Sequence, residues 1–455
     1  MLVEQDTIAA LSTAPGKAAV SIIRISGSLA WEFAFRSSSL GAEQITPRKF
    51  YYVTLNGEGE EIDDVLLLFF ASPDSYTGED ILEIQSHGSP FITSRIIESC
   101  LRFGIRSARP GEFTYRAVLN GKMDLTQAEA VRDLIESRTA LQGRIARQTL
   151  KGRLSSHLTD LKQSLVSIAS QMETSLEFVE DDVSPESRNR ILERIDEVIE
   201  KLSRLGSSYR QGRIVRDGVM TVLAGTTNTG KSLIFNILSE EDRAIVTSHA
   251  GTTRDVIVEE LDLSGIPFIL HDTAGIRAGT GEIEGIGVAK SLEHFNRASL
   301  ILFVLDGSRP WSRDDQDCWD QIKAQRVILA INKIDLPRKI EIPGTVRENC
   351  LEEVEISALQ GINIEGLIDA MVRQSLGSDS DPGSSLILSN LRQKHCLDQA
   401  LAKLRECRES YRAGASEEYP LYDLRECLKA LGQMTGEVTA EDILDEVFST
   451  FCIGK

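Results

Sequence analysis

The sequence predicts a multidomain α+β protein with an α/β nucleotide-binding domain at its centre. Residues 225–232 read Gly-Thr-Thr-Asn-Thr-Gly-Lys-Ser, which matches the GxxxxGK[ST] pattern of a phosphate-binding loop. The apolar residues 219–224 before the loop suit a buried strand, and residues 233–238 after it suit a helix. Strand, loop and helix in this order are the context that the motif requires. Apolar stripes at helical spacing lie on both sides of this centre.

The pattern of this loop is suited to a nucleotide triphosphate. Its backbone N–H groups and the start of the following helix favour phosphate oxygens. Lys231 is expected to reach the β- and γ-phosphates, and the Ser232 hydroxyl to bind Mg²⁺. A chance glycine-rich turn is the alternative, and three further nucleotide motifs in sequence order argue against it. The candidate binding residues of the loop are Gly225, Asn228, Thr229, Gly230, Lys231, Ser232 and Leu233.

Composition and charge limit the class of protein. A length of 455 residues predicts two to four domains with an ample core. The net charge of −19 argues against broad, sequence-blind binding of nucleic acid, but leaves RNA open at a local basic patch or through a partner. Seven cysteines without paired spacing indicate reduced thiols in the cytoplasm. We expect no signal peptide and no segment that spans a membrane.

Residues 1–120 are predicted to form an α+β domain. Its predicted strands and helix are at residues 18–25, 65–70 (a buried strand), 81–85 and 92–101. Arg24 and Glu83 lie inside apolar strands, where a charge is costly unless it is paired or bound to a ligand. Composition alone favours a structural salt bridge or exposure to solvent over a ligand role.

Helices are predicted on both sides of the nucleotide domain. Asp124 suits the N-cap of a helix, with Gln127 three residues later. The apolar stripes are Leu154, Leu158, Leu161, Leu165, Ile168, Met172 and Leu176, then Ile191, Ile195, Val198, Leu202 and Leu205, and in the tail Leu397, Leu401, Leu404, Leu421, Leu424, Leu428 and Leu431. We therefore predict a discontinuous helical domain at residues 121–215 and 377–455, with the nucleotide domain inserted at 216–376.

One motif and its companion segment predict that the nucleotide is GTP. Asn332-Lys333-Ile334-Asp335 follows the predicted strand at 327–331, and the Asp335 carboxylate is suited to accept hydrogen bonds from N1–H and the exocyclic amine of guanine. Adenine lacks this pair of donors. Ser357-Ala358 follows another strand and is the usual companion that touches the base. An ATPase or kinase with a phosphate-binding loop is the alternative.

Two further motifs suit Mg²⁺ and the γ-phosphate. Asp272-Thr273-Ala274-Gly275 follows a predicted strand, so Asp272 is expected to hold Mg²⁺ through water and the Gly275 N–H to meet the γ-phosphate. Thr253, within Gly251-Thr252-Thr253-Arg254-Asp255, is expected to complete the Mg²⁺ shell.

The group that orients the attacking water is not the usual glutamine. Ile276 follows the Asp-x-x-Gly motif, where many small GTPases carry glutamine. Asn228 offers an oxygen beside the phosphates, where a monovalent cation would supply positive charge. Glu282 and Glu284 are candidate water-positioning carboxylates, and a solvated switch loop is the alternative that residue type favours.

In these motifs the chain resembles the bacterial and organellar tRNA modification GTPase MnmE (TrmE) family over its whole length. The segments that carry the resemblance are Ala14-Pro15-Gly16, Ile23-Arg24-Ile25-Ser26-Gly27, Tyr76-Thr77-Gly78-Glu79-Asp80, Arg109-Pro110-Gly111-Glu112-Phe113, residues 251–255 and the terminal Phe451-Cys452-Ile453-Gly454-Lys455. The resemblance implies an α+β folate-binding N-terminal domain, the discontinuous helical domain and an inserted Ras-like α/β G domain.

The resemblance also implies partners and cofactors. The family is a homodimer through its N-terminal domain, which binds a 5-formyltetrahydrofolate-type one-carbon donor. With the FAD-dependent partner MnmG (GidA), as a heterotetramer, it adds an aminomethyl-type group at C5 of the tRNA wobble uridine. Potassium-dependent dimerisation of the G domains drives GTP hydrolysis. A GTP-switched ribosome assembly factor without modification activity is the alternative function.

Site residues follow from the resemblance by position. Arg24, Glu83, Lys122 and Lys455 fall on folate positions, and Glu284 falls on the catalytic glutamate. The potassium positions are Asn228, Thr247, His249 and Thr252. The GTP site extends over Thr247, Ser248, His249, Ala250, Gly251, Thr252, Thr253, Asp272, Thr273, Ala274, Gly275, Asn332, Lys333, Asp335, Ser357 and Ala358.

The resemblance leaves two features open: a departure in the phosphate loop and the role of Cys452. The phosphate loop carries Thr226 and Thr227 where the family usually has Arg-Pro. The Cys452 thiol is either a nucleophile or a small buried residue near the end of the chain.

Overall fold

The computed structural model describes residues 6–57, 59–177, 185–239, 258–272, 295–377, 386–438 and 441–454. The chain divides into two units. The first comprises Met1–Arg132, Thr149–Ile195 and Ala402–Lys455, and the second comprises Asp133–Gln148 and Asp196–Leu401. The division into three domains at 1–120, 121–215 with 377–455, and 216–376 stays a prediction.

The first unit contains a sheet of six strands in the order β3-β4-β5-β2-β1-β6. The strands are β1 (Ile8–Leu11), β2 (Ala18–Ser26), β3 (Phe50–Gly57), β4 (Glu60–Phe70), β5 (Ile81–Gly88) and β6 (Arg106–Ser107). Neighbouring strands are antiparallel except β1 and β6. Helices α1 (Ala30–Ser37) and α2 (Pro90–Arg102) share the core of this sheet, and α3 (Glu112–Leu119) follows β6. The strands predicted near β2 and β5 and the helix predicted near α2 are confirmed.

The core packs on one face of this sheet. Val65, Leu67 and Phe69 of β4 are buried, whereas Leu66 between them is 37% exposed. The prediction of a wholly buried strand at 65–70 is therefore wrong for its alternate residues. An antiparallel sheet commonly packs one face on a core and leaves the other to solvent, and successive side chains point to opposite faces.

Both units also contain the helices that were predicted on either side of the nucleotide domain. They are α4 (Leu125–Ile135), α5 (Ala140–Leu150), α6 (Arg153–Glu177), α7 (Pro185–Ser207), α8 (Tyr209–Asp217), and in the tail α13 (Leu391–Arg412), α14 (Glu418–Thr435) and α15 (Glu441–Ser449). The capping box before α4 is confirmed: Asp124 Oδ1 accepts from the Gln127 N–H at 2.9 Å, and Gln127 Oε1 accepts from the Asp124 N–H at 2.9 Å. The stripe residues from Leu154 to Met172, from Ile191 to Leu205 and in the tail are buried except Leu428, which is half-buried.

The second unit contains a six-stranded sheet in the order β12-β11-β10-β7-β9-β8. Its strands are β7 (Val219–Ala224), β8 (Val258–Leu263), β9 (Ile266–Asp272), β10 (Leu300–Asp306), β11 (Val327–Asn332) and β12 (Glu352–Glu355), and its helices are α9 (Lys231–Leu238), α10 (Arg313–Ile322), α11 (Gly344–Asn349) and α12 (Ile364–Leu376). All pairs are parallel except β8 with β9. The carboxyl ends of the parallel strands share one edge, where ligands bind in α/β folds.

A cluster of ion pairs, here called the Arg116 cluster, lies in the first unit. Its members are Asp6, Glu79, Arg106, Glu112 and Arg116. The Arg116 side chain is 5% exposed and contacts all three acids, with its Nη2 2.6 Å from Asp6 Oδ1. Glu79 and Glu112 belong to the Tyr-Thr-Gly-Glu-Asp and Arg-Pro-Gly-Glu-Phe segments. The cluster therefore ties two of the segments singled out in the sequence to each other.

Among the described residues, none of the helices has the length and apolar character needed to cross a membrane.

Candidate functional site

The phosphate loop has a backbone that requires glycine at two positions. It begins at Gly225, with φ +140°, and ends at Gly230, with φ +98°. A Cβ at Gly225 would lie 2.4 Å from the Val304 carbonyl oxygen, and one at Gly230 would lie 2.3 Å from Asn332 Nδ2. Between them Asn228 also has positive φ, at 62°. Any residue with a Cβ at the two glycine positions would therefore clash and be strained.

Lys231 begins α9 and lies inside the loop. The residue is 8% exposed, and its Nζ donates to the Thr226 carbonyl oxygen at 2.6 Å. The same carbonyl accepts from the Thr229 hydroxyl at 3.0 Å. The ammonium therefore lies inside the phosphate loop, and its contact with the β- and γ-phosphates stays a prediction.

Asn332 connects three of the segments predicted from sequence. Its side chain is buried and donates from Nδ2 to the Thr229 carbonyl oxygen of the phosphate loop at 2.9 Å. Its Oδ1 accepts from the Ala358 N–H at 2.9 Å and from the Lys333 N–H at 2.8 Å. The end of β11, the Ser357-Ala358 turn and the phosphate loop are thereby held together at the carboxyl edge of the sheet.

The predicted base-reading carboxylate is oriented by its neighbour. The Ser357 hydroxyl donates to Asp335 Oδ1 at 2.6 Å. A carboxylate held by one fixed donor loses less side-chain freedom when it binds a ligand. Ser357 itself is fully buried and Asp335 is half-buried, so the contact between them is partly shielded from water.

Asp306 was missed by the sequence analysis. It ends β10, and its Oδ2 lies 2.6 Å from Lys333 Nζ. Burial alone would raise the pKa of Asp306, but hydrogen bonds from Lys333 and Ser308 outweigh it, so the pKa lies below its ordinary value. The available signal was an acid at the end of the wholly apolar run at 300–305. Arg309 and Asp315, which also contact the loop, had no such signal.

Ser232 and Leu233 lie in α9, directly after Lys231. Thirteen other predicted residues lie outside the described part of the chain. They are Thr247, Ser248, His249, Ala250, Gly251, Thr252, Thr253, Thr273, Ala274, Gly275, Glu282, Glu284 and Lys455. Asp272 ends β9, and its backbone pairs in register with Leu223, two residues before the phosphate loop. This register places the Asp-x-x-Gly strand beside the strand that leads into the loop.

Arg24 and Glu83, predicted for folate, pair with each other. They face each other across β2 and β5, and Arg24 donates to Glu83 Oε1 from Nε at 3.0 Å and from Nη2 at 2.7 Å. Their side chains are 19% and 14% exposed. The Arg24 guanidinium also lies over the rings of Tyr76, at 5.3 Å, and Phe113, at 5.8 Å. The salt bridge that composition favoured is thus present, and its two groups still reach solvent.

Lys122 lies beside the loop that carries Tyr76. Its Nζ donates to the Pro73 carbonyl oxygen at 2.7 Å. A Cβ at Gly78, whose φ is +80°, would lie 3.4 Å from the Lys122 side chain. Residues 73–78 therefore contact Lys122 at one point and Arg24 at another.

The C-terminal segment docks within the first unit. Gly454 has φ +97°, and a Cβ there would lie 2.2 Å from the Leu11 carbonyl oxygen at the end of β1. The Ser12 hydroxyl donates to the Gly454 carbonyl oxygen at 3.2 Å. Cys452 is exposed, so the alternative that it is a small buried residue is wrong. Its thiol is exposed while the backbone on both sides is held by close contacts.

Two family models match the chain. The one described as the MnmE helical domain matches residues 125–452, and the one described as the GTP-binding protein TrmE N-terminus matches residues 7–122.

Curated proteins named tRNA modification GTPase MnmE are similar to the chain over its full length. The protein from Thermotoga petrophila is 38% identical over 99% of this chain and 100% of its own length. The protein from Aquifex aeolicus is 38% identical over 99% of this chain and 100% of its own length. The one from Koribacter versatilis is 40% identical over 99% of both chains.

A solved structure is similar to part of the chain. The G domain of the T. maritima FeoB iron transporter is 24% identical, and the match covers 34% of this chain and 98% of that one with a TM-score of 0.28.

Proposed function

The chain belongs to the family of the tRNA modification GTPase MnmE and is a GTP hydrolase that acts in tRNA modification, and we propose the specific reaction in which it takes part. With an FAD-dependent partner of the MnmG (GidA) type, it adds an aminomethyl-type group, carboxymethylaminomethyl or similar, at C5 of the tRNA wobble uridine. A 5-formyltetrahydrofolate-type folate supplies the carbon. The observation that carries this proposal is that the similarity extends over 99% of the chain, and so beyond the nucleotide domain.

Deletion of the gene tests this proposal. We expect mass spectrometry of tRNA nucleosides to show loss of the modified wobble uridine, and a plasmid with the wild-type gene to restore it. A ribosome assembly factor would instead leave the nucleosides unchanged and cause incomplete ribosomal subunits to accumulate. That second result would contradict the proposal.

The nucleotide domain would bind GTP with Mg²⁺ and K⁺. Ser232 and Thr253 would hold Mg²⁺. Asn228, with Thr247, His249 and Thr252, would hold K⁺ between two G domains. Two features of Asn228 support this assignment. Its side chain is exposed, and its backbone has a positive φ inside the phosphate loop. Its carboxamide oxygen is of the type that hard cations prefer.

Hydrolysis should depend on the size of the monovalent cation. A site shaped for K⁺ holds Na⁺ poorly because Na⁺ prefers shorter distances to oxygen. We expect turnover in KCl to exceed that in NaCl by about 100-fold, the effect of losing one electrostatic stabiliser. Steady-state phosphate release at matched ionic strength measures it. Equal rates in the two salts would rule out the role of the cation. Glu284→Ala should lower the rate of GTP hydrolysis and leave nucleotide binding unchanged.

The N-terminal domain would form the homodimer and bind folate. Glu83 would read the donor–acceptor edge of the pterin, and Arg24 or Lys122 would hold the glutamate carboxylates. The half-buried Arg24–Glu83 pair fits such a ligand because both groups are ionic, oriented and partly accessible. Lys455 would close the site from the docked C-terminal segment. The whole assembly with its partner would be a cytoplasmic heterotetramer.

Folate binding should weaken when this site is changed. We expect Glu83→Ala and a deletion of residues 452–455 each to weaken binding of 5-formyltetrahydrofolate by about tenfold or more, since each removes a charged hydrogen-bonding group. Calorimetric titration of the full-length chain measures this, with Glu60→Ala as the control because the Glu60 side chain is 73% exposed in its pair with Arg95. If wild type and both variants bind alike, the pocket lies elsewhere.

A further inference from the structure

Two charged side chains from outside the phosphate loop hold the side chain of Thr226. The Thr226 hydroxyl donates to Asp315 Oδ1 at 3.0 Å and accepts from Arg309 Nη2 at 2.6 Å. Arg309 Nη2 also donates to the same Asp315 oxygen at 2.7 Å. The three side chains therefore close a ring of hydrogen bonds, here called the Thr226 tether.

Asp315 is a fixed anchor for this tether. The residue is 1% exposed, and its second oxygen accepts from the Ser312 hydroxyl at 2.7 Å and from the Ser312 N–H at 3.0 Å. Ser312 and Asp315 thus form the capping box of α10. A buried carboxylate with four donors has little freedom to move, so the Thr226 hydroxyl is bound to the start of a helix rather than to a mobile surface group.

The backbone of the same residue holds the lysine of the phosphate loop. The Thr226 carbonyl oxygen accepts from Lys231 Nζ at 2.6 Å and from the Thr229 hydroxyl at 3.0 Å. Thr226 directly follows Gly225, whose φ of +140° is open to a glycine and to few other residues. A rotation at this position would move the carbonyl and, with it, the place of the lysine. Thr226 is therefore the point at which the anchor and the lysine are joined.

We propose that Arg309 and Asp315 are positioning residues that hold the phosphate loop in its binding conformation through the Thr226 hydroxyl. Because the loop is already held when GTP arrives, less conformational freedom is lost on binding and the backbone N–H groups and Lys231 need not reorganise. This inference rests on the proposal that the loop binds and hydrolyses GTP.

Thr226→Val tests the tether because valine has the shape of threonine without its hydroxyl. Asp315 would keep its bonds from Arg309 and Ser312, so no buried charge is left alone. We expect the dissociation constant of GTP to rise about 10- to 100-fold, the range for a hydrogen bond to a charged group. Thr226→Ser keeps the hydroxyl and should stay within about twofold of wild type by the same reasoning. Calorimetric titration of the full-length chain with a non-hydrolysable GTP analogue measures both.

Two further variants separate positioning from general stability. Ser312→Ala breaks the capping box but leaves Oδ1 of Asp315 on Thr226, so it should lower the thermal midpoint and leave GTP affinity within about twofold. Asp315→Ala should weaken GTP binding, and in combination with Thr226→Val it should add little, because both changes remove the hydrogen bond between Thr226 and Asp315.

Three results would overturn the inference: GTP affinity at wild-type level in Thr226→Val, equal losses in Thr226→Ser and Thr226→Val, or a loss in Ser312→Ala as large as in Thr226→Val. If wild type itself neither binds nor hydrolyses GTP, the proposed function fails instead.

Discussion

Replacing Arg116 with methionine is expected to lower the free energy of opening of the N-terminal sheet by about 3–5 kcal/mol, the cost of removing one partner from a buried ionic network. The Arg116 side chain is 5% exposed, and those of Glu79 and Glu112 are 22% and 11% exposed. Methionine replaces the aliphatic part of the arginine side chain, so the lost contribution is mainly that of the guanidinium charge and its hydrogen bonds. Arg106 would still pair with Glu112, which leaves Glu79 as the acid with the greatest loss.

Hydrogen exchange measures this effect where it occurs. Peptides that cover β2 and β5 report the opening of the sheet without the signal of the nucleotide domain. Arg36→Met is the matched control, because Arg36 pairs with Glu32 at 3.8 Å and its side chain is 73% exposed. An exposed pair contributes only about 0–1 kcal/mol. Equal changes in the two variants would show that the Arg116 cluster does not stabilise the domain.

The effect of Arg116→Met should also depend on pH. Burial alone would raise the pKa of Asp6 and Glu112, but hydrogen bonds from Arg106 and Arg116 outweigh it, and both pKa values lie below their ordinary values of 3.8 and 4.5. A carboxyl with a lowered folded-state pKa stabilises the fold above its unfolded pKa, and this contribution is lost as the pH falls through the folded value. The difference in the free energy of sheet opening between wild type and Arg116→Met should have its full size at pH 7 and shrink below about pH 4.

Local features of the chain were predictable from sequence. The strand before the phosphate loop was expected at 219–224, and β7 has these bounds. A run of mostly apolar residues ended by glycine marks such a strand without reference to the rest of the chain. The Asp124–Gln127 capping box was predictable for the same reason, since both partners lie within one helical turn.

Contacts between distant segments were not predictable. Thr226 and Asp315 are separated by 89 residues, and Arg116 and Asp6 by 110. Residue spacing carries information over a turn of helix or along a strand, but it does not say which strands become neighbours. The order of the parallel strands brings β10 beside β7, and only this order places Asp315 and its helix near the loop. Arg24 and Glu83 were predictable in part. The sequence showed that each is a charge inside an apolar strand, but their pairing with each other required the register of β2 with β5.

Asp335→Asn is expected to lower the affinity for GTP by about 100-fold and to raise that for xanthosine triphosphate. The wild-type carboxylate is predicted to accept from N1–H and the 2-amino group of guanine. The variant would present an amide N–H to that amino group, so two donors would face each other in a desolvated site, at a cost of about 3 kcal/mol. Xanthine carries a carbonyl at the same position, which accepts from the new amide.

The fold around the variant should be kept, because the amide oxygen of the substituted side chain can still accept the Ser357 hydroxyl that now donates to Asp335 Oδ1 at 2.6 Å. Titration with GTP and with xanthosine triphosphate measures the change in preference. Ser357→Ala is the matched control: it frees the carboxylate but leaves it an acceptor, so GTP binding should weaken by about tenfold or less with guanine still preferred. Unchanged GTP affinity in Asp335→Asn would mean that this carboxylate does not read the base. A loss of affinity for both nucleotides together would point to a damaged loop, because Asn332, three residues before Asp335, is bonded to the Thr229 carbonyl oxygen.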